Sequence, residues 1–565
     1  MSKSEIKLLG SFIEKSYGHS TIEINIDNLD QGVNSFGDFF IKKVENDIIY
    51  VIEKTCDHAG GRLIKKGNKA VCYLHGWELD LENLKYNNSH IGKKSIPFNL
   101  ENNTLSFNTS DGFNLINPFI KDITPDSVKI SWLNHATILI KSGNYSIITD
   151  PWLFGPAFVT GWWLEQPSNK SSIEDLYNAD CIFVSHNHPD HLHPETLSIV
   201  EKDKLILTPN FISKSSEKYL KKLGFTNLKT VDFNKIYSLA QNIQISCLKS
   251  GDFRDDSGLY LNVSGTEILL TVDSNFLNSY KLPRNIDLLA TSFASGASGY
   301  PLIYDNLNEQ EKFKIIKRNK NSIKASVINY IKHTSPSYYL PYAGMFKEKA
   351  SRDEYILSNN IKNSVSDYSE ICNRYNVTLI VPDKNVSIFF DKNNVMNLEK
   401  NYSVQIHEHP IDHYINGSKK EFIYNAYEIL EYFYKSGFNS NQVVQIIPTD
   451  DDFKYSNKDI VYYDFELSEG RIIEKKELKK ELKGKRLMTV NVREEAIAFL
   501  IKNKLPWEDL TIGFQARITR IPDSYESEFW YYFTNVFVSE ENYRYSPLCG
   551  NCSIINQNKG LINIL

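Results

Sequence analysis

The chain has 565 residues, 41% of them hydrophobic and 24% charged, with a formal net charge of −5. That length points to roughly two to four domains with a large core, and the mildly acidic balance offers no general attraction to nucleic acid or to an anionic membrane. No apolar run reaches the length of a membrane span and the opening "MSKSEIKLLGSF" lacks the apolar core of a signal peptide; with seven scattered cysteines arguing against a disulfide framework, the expected location is cytoplasmic.

The first stretch, to about residue 110, alternates short apolar strands ("TIEINIDN", "DFFIKKV", "IIYVIE", "AVCYLHG") with polar turns, the pattern of a small all-β domain. Inside it, residues 56–77 read "CDHAGGRLIKKGNKAVCYLHGW". Thiolate and imidazole together select zinc, copper or iron–sulfur chemistry. A zinc finger usually pairs its cysteines in one place and its histidines in another, whereas CxH followed by CxxH sets one of each on both loops. That is the Rieske arrangement of a [2Fe-2S] cluster, with Cys56 and Cys72 on one iron and His58 and His75 on the other; a small zinc site is the bland alternative. The short interval between His58 and Cys72 predicts a hairpin turning tightly at Lys66, Gly67, Asn68 and Lys69.

After a linker near "NTSDGFNLINPF", apolar strands ("VKISWL", "ATILIK", "CIFVSH", "LILTP", "EILLTVD") mix with helical stretches ("SIEDLYNA", "FISKSSEKYLKKLG"), an α/β pattern. The run "CIFVSHNHPDHLHPETL" delivers His186, His188, Asp190 and His191 directly after a strand. HxHxDH in that position resembles the metallo-β-lactamase fold, an αββα sandwich with metal between strand ends, and "TDPW" and "LLTVDSN" supply matching acids, Asp150 and Asp273. Asp273 is the expected ligand, with Asp150 supporting the loop. No histidine occurs between His193 and His333, so another residue must complete the site. Asp252 in "LKSGDFRDDSG" is the candidate, and a carboxylate there favours iron over zinc. His135 in "WLNHATILI" is either a supporting group or a satisfied core histidine. The remainder carries helical signals ("EFIYNAYEILEYFYKSG", "REEAIAFLIKNK") and some strands; Cys549 and Cys552 form a lone CxxC, either incidental or a redox or metal pair.

Zinc has no redox chemistry, so a Rieske cluster feeding a zinc hydrolase would serve no purpose in turnover. Iron at both sites suits dioxygen activation and insertion of one oxygen into a C–H bond, a monooxygenase. The chain strongly resembles the CMP-N-acetylneuraminate hydroxylase family, which joins a Rieske domain to a metallo-β-lactamase-like domain. The likeness runs through "DPWLFGPAFVTGWWL", "SFASGASGYP", "PYAGMF", "IPTDDDF" and "LPWEDLTIGFQARITRIPDSYESEFWYYF". It implies hydroxylation of the N-acetyl methyl of CMP-N-acetylneuraminate, or of a related nucleotide sugar, to N-glycolyl by dioxygen. Electrons would come from cytochrome b5, or a ferredoxin, with its reductase. Within these segments Trp152, Trp162 and Trp163 are either stacking faces for a base or sugar or core. Ser295, Gly296, Ser298 and their neighbours form either a close ligand approach or a tight turn. Arg517 serves either an anionic substrate group or a structural ion pair.

The expected architecture is multidomain: an all-β Rieske domain (1–112), an αββα metallo-β-lactamase-like catalytic sandwich (113–395) and a C-terminal α+β region (396–565) packed on it. Two competing readings are a metallo-β-lactamase-fold hydrolase with a redox-sensing cluster, and an electron carrier whose second site is a relic.

Overall fold

The computed structural model describes residues 6–11, 19–57, 61–72, 76–87, 92–110 and 126–536, apart from residues 253, 392 and 394. His58, His75, Cys549 and Cys552 lie outside the described residues, as does the side chain of Ser298.

Two eight-stranded sheets face each other in the middle of the chain. One has the order Leu228–Val231, Leu205–Pro209, Cys181–Phe183, Tyr145–Thr149, Thr137–Ser142, Val128–Asn134, Val386–Phe390, Met396–Lys400. The other runs from Lys7–Ser11 through Lys235–Ala240, Ile243–Lys249, Ser257–Val263, Thr266–Leu270, Leu288–Ser292 and Tyr338–Tyr342 to Thr378–Leu379. The apolar runs that define these strands are buried on both faces, and period-2 alternation sorts each run into two cores. Ile138, Ile140, Cys181, Phe183, Leu205 and Leu207 point to the core shared between the sheets, together with Ile268, Leu270, Leu288 and Ala290 from the facing sheet. Leu139, Ile182 and Ile206 point outward beneath Leu176, Leu197 and Leu220 of the covering helices. Leu269 and Leu289 do the same beneath Val327, Tyr330 and Ile331 of helix Glu309–Thr334. The result is the αββα sandwich. Each such side chain contributes about 1.5–3 kcal/mol by burial.

The N-terminal strands form small antiparallel sheets: Gly32–Phe36, Phe39–Val44 and Asp47–Glu53; Leu63–Lys66, Lys69–Cys72 and Glu78–Asp80; His19–Asn25, Thr104–Ser110 and Phe98–Glu101. Lys66 pairs with Lys69, so the hairpin turns at Gly67 and Asn68 as the spacing predicts, with Gly67 at φ +62. The first strand does not stay with this group. Lys7–Ser11 pairs antiparallel with Lys235–Ala240 and forms the edge of the second large sheet.

The C-terminal region is a five-stranded sheet, Glu469–Ile473, Ile460–Asp464, Gln442–Thr449, Arg486–Arg493 and Ala516–Ile521, with helices on it. Its core takes in Val159, Leu302, Ile303 and Ile356 of the sandwich region, so the two share one hydrophobic interior. The helical signal in "EFIYNAYEILEYFYKSG" corresponds to helix Ala426–Ser436, preceded by a separate helix, Ile411–Glu421. Asn425 caps the start of Ala426–Ser436 by accepting the Tyr427 N–H, 3.0 Å. Among the described residues no helix is long and apolar enough to cross a membrane.

Candidate metal centre

The centre is assembled from strand ends of both sheets. His186, His188, Asp190 and His191 follow Cys181–Phe183; Asp150 follows Tyr145–Thr149; Asp273 follows Thr266–Leu270; Asp256 immediately precedes Ser257–Val263. Three groups of donors each bring their ligand atoms within 4.8 Å of one another: His186, His188 and Asp256; His135, Asp190 and His191; His186, His191 and Asp273. His186 Nε2 lies 3.0 Å from His188 Nδ1 and 3.9 Å from Asp256 Oδ1. His191 Nε2 lies 3.4 Å from Asp190 Oδ2 and 3.5 Å from Asp273 Oδ2.

Which nitrogen of each histidine faces inward follows from what holds the other. Ser185 Oγ donates to Asp150 Oδ2 (2.9 Å), which leaves the same oxygen to accept the Nδ1–H of His186, also at 2.9 Å. Asp150 Oδ2 accepts the Nδ1–H of His191 at 3.1 Å. Glu508 Oε2 accepts the Nε2–H of His188 at 3.2 Å. With the rings neutral, as metal binding requires, the lone pairs of His186 Nε2, His191 Nε2 and His188 Nδ1 face the centre. Asp150 also takes the Ser185 N–H at 2.7 Å, the loop-supporting role expected of it.

The donor set fits a metal. Asp190 Oδ1 and His191 Nε2 are buried with no hydrogen-bond partner, a cost that coordination would remove. Burial opposes charge on every group here. The acids nevertheless hold His191 well above its ordinary range, chiefly through Asp190 and then Asp273. Burial likewise works against a charged His188, but Glu508, then Asp256 and Asp190, hold it at about 9. Burial, partly offset by Arg254 and His188, raises Asp256 to about 6. Three aspartates among four imidazoles make a hard, oxygen-rich site suited to iron. Asp273 is 28% exposed while His186, Asp190 and His191 are at most 2%, so the centre opens on the Asp273 side.

One sequence-based expectation changes, and the alternatives left open for other residues narrow. Asp252 is not brought into the centre: its carboxylate receives Arg254 Nη2 at 2.8 Å and Nε at 3.0 Å, and Ser250 Oγ at 2.9 Å. Asp256, four residues on in the same acidic loop, takes that place, and only the register entering Ser257–Val263 distinguishes the two. The three tryptophans present no open face. Trp152, Trp162 and Trp163 are buried, and each indole N–H is spent on a carbonyl, of Gly155, Ile512 and Thr160 respectively. Trp162 stacks on Phe346; with Gly161, whose missing Cβ makes room for Gly513 O, it seams the sandwich to the C-terminal region. Gly296 and Gly299 answer to packing, since a Cβ on either would collide with Phe346 or Asn360, and Ser295 is buried beside them at φ +68. Among the described residues Arg517 does not make the structural ion pair expected as one alternative. It donates to the Phe514 and Ala516 carbonyls and lies 4.0 Å over the Phe453 ring.

His135 resolves from an open choice to a member of the centre, its Nε2 3.1 Å from Asp190 Oδ2. Glu508 was not foreseen; no spacing rule links it to a histidine 320 residues away. Replacing Glu508 with alanine is expected to weaken metal retention about 10–100-fold by releasing the His188 ring, with glutamine recovering much of the loss because its carbonyl still accepts the Nε2–H. Competition of the metal-loaded protein against a chelator measures this.

The second donor pair is buried in the N-terminal core, where Cys56 and Cys72 pack with Trp77, Tyr86 and Leu63. Cys72 pairs with Leu63, and the Cys56 N–H donates to Gly61 O at 2.6 Å, so the two cysteines sit side by side. Tyr531 of helix Ser527–Thr534 belongs to this core. It also lines a small cavity with His188, Arg254, Asp256 and Glu508.

The family described as a beta-lactamase superfamily domain matches residues 129–255. Over nearly its whole length the chain is similar to proteins named cytidine monophosphate-N-acetylneuraminic acid hydroxylase. That of Xenopus laevis is 29% identical over 567 residues, covering 92% of this chain and 94% of the relative; that of Mus musculus is 29% identical, covering 90% and 93%. Among solved structures, CmlA, a diiron beta-hydroxylase from Streptomyces venezuelae, aligns at 16% identity with a TM-score of 0.33, covering 49% of this chain and 55% of that one.

Proposed function

We propose that this chain, a homologue along nine tenths of its length of the named cytidine monophosphate-N-acetylneuraminic acid hydroxylases, is an iron-dependent monooxygenase. It converts the N-acetyl methyl of CMP-N-acetylneuraminate to N-glycolyl, with electrons relayed through a Rieske [2Fe-2S] cluster from a donor such as cytochrome b5 or a ferredoxin. The observation that carries the reading is the joining of two unlike donor sets through one residue: Tyr531 packs in the core that holds Cys56 and Cys72 and lines the cavity beside His188.

In this reading Cys56, His58, Cys72 and His75 hold the cluster. His186, His188, Asp190, His191 and Asp273 hold iron, with His135 added and Asp256 in place of Asp252. Iron bound there supplies dioxygen activation, which zinc does not. The chain's own part is preorganisation. Asp150, Ser185 and Glu508 fix three imidazole tautomers, burial of His186 and His191 keeps water from one side, and the Asp273 side is left for substrate. The domain division at 1–112, 113–395 and 396–565 is retained in this proposal, with the Lys7–Ser11 strand assigned to the sandwich it pairs with.

Incubation of the iron-loaded protein with CMP-N-acetylneuraminate, dioxygen and a reducing system should give product heavier by one oxygen atom. His75→Ala should lose the low-field Rieske EPR signal. A protein that binds only zinc at the buried centre and hydrolyses esters regardless of reductant would overturn the reading.

A further inference from the structure

Helix Glu309–Thr334 carries a line of residues, 314, 317, 318, 321, 322 and 325, spaced three and four apart and therefore on one face. At its inner end Ala325 packs against the core that contains Cys56 and Cys72. Two turns earlier Arg318 reaches Gly76, four residues after Cys72: its Nη1 lies 2.5 Å from where a Cβ on Gly76 would stand, and Gly76, at φ +73, has none. At the outer end Lys314, Lys317 and Arg318, with Asn321 and Ser322, line an open cavity of about 320 Å³. Lys314 and Lys317 are exposed, and Phe313 beside them is 53% exposed. Two further cations of the helix are neutralised, Lys312 by Glu309 and Lys324 by Asp367. Among the described residues Lys314, Lys317 and Arg318 have no carboxylate within ion-pair distance, and Arg318 Nε is buried without a partner.

Three unneutralised cations around an apolar side chain, on a chain whose net charge is −5, form a local field opposite to that of the whole molecule. An acidic partner is repelled elsewhere and attracted here, which selects orientation as well as rate. We propose that this face of helix Glu309–Thr334 is the docking surface for an acidic one-electron donor protein, seated beside Gly76. The inference rests on the cluster assignment above. The step is a single electron leaving the reduced donor and entering the oxidised cluster; no bond or proton is exchanged.

The test uses the full chain with its cluster assembled and a pre-reduced acidic plant-type ferredoxin as probe, following cluster bleaching by stopped flow. Wild type should slow as salt rises to about 0.5 M, where surface charges are screened. The double variant Lys314→Glu, Lys317→Glu should be reduced about tenfold or more slowly at low salt, with dithionite reduction and the EPR spectrum unchanged. Lys475→Glu, Lys476→Glu, which shifts net charge equally on another exposed turn, should have a much smaller effect. An unchanged ferredoxin rate in the first variant, or equal slowing in both, overturns the surface while leaving the cluster assignment intact. A wild-type protein that assembles no cluster overturns the functional reading and the surface with it.

Discussion

Replacement of His186 by alanine is expected to empty the buried centre and lower hydroxylation by more than about 100-fold. Loss of an outer hydrogen-bond partner already costs 10–100-fold in metal affinity or activity, and His186 faces the centre itself. It is also shared: it belongs with His188 and Asp256 and again with His191 and Asp273, so no rearrangement of one group compensates for the other. Metal analysis should show iron falling to the two equivalents of the cluster, with the Rieske EPR signal retained. Asp256→Ala is expected to behave in the same way. Asp252→Ala, which removes an anchor of Arg254 at 2.8 Å, should keep more of the buried iron than Asp256→Ala. Full iron retention and turnover in His186→Ala would sink the assignment of the centre; equal losses in both aspartate variants would sink the preference for Asp256.

Free N-acetylneuraminate is expected to be hydroxylated at least about 100-fold less efficiently, in kcat/KM, than its CMP ester. A methyl C–H offers no charge and no hydrogen bond, so its position must be fixed by binding energy from remote parts of the substrate. At 1.36 kcal/mol per tenfold, a cytidine phosphate anchor worth about 3 kcal/mol gives that ratio. The anchor's place differs from the sequence-based one, because Trp152, Trp162 and Trp163 are interior walls. Their substitution should therefore affect folding, seen as a lowered Tm, before it affects KM. Comparable kcat/KM for the free sugar and the CMP-sugar would refute the anchoring argument.

Local pattern determined much of this protein. Apolar runs such as "LILTP" and "EILLTVD" specify doubly buried strands because alternate residues must find apolar cover on both sides, and they do. HxHxDH is legible because a strand end and a short loop converge those side chains with little help from the rest of the chain, and Gly67 with Asn68 is legible as a hairpin turn for the same reason. What tertiary structure alone decided are the contacts between distant segments. Asp256 displaces Asp252 because the loop's register is set by pairing of Ser257–Val263 with its neighbours. His135 enters the centre because the turn between Val128–Asn134 and Thr137–Ser142 folds over Asp190. Glu508 reaches His188, and Tyr531 reaches the cysteine core, because the C-terminal helices pack against both earlier regions. Side-chain type and spacing encode what a segment can do within a few residues; which carboxylate meets which imidazole across hundreds of residues is settled by packing, where one acceptor position is left and one side chain fills it.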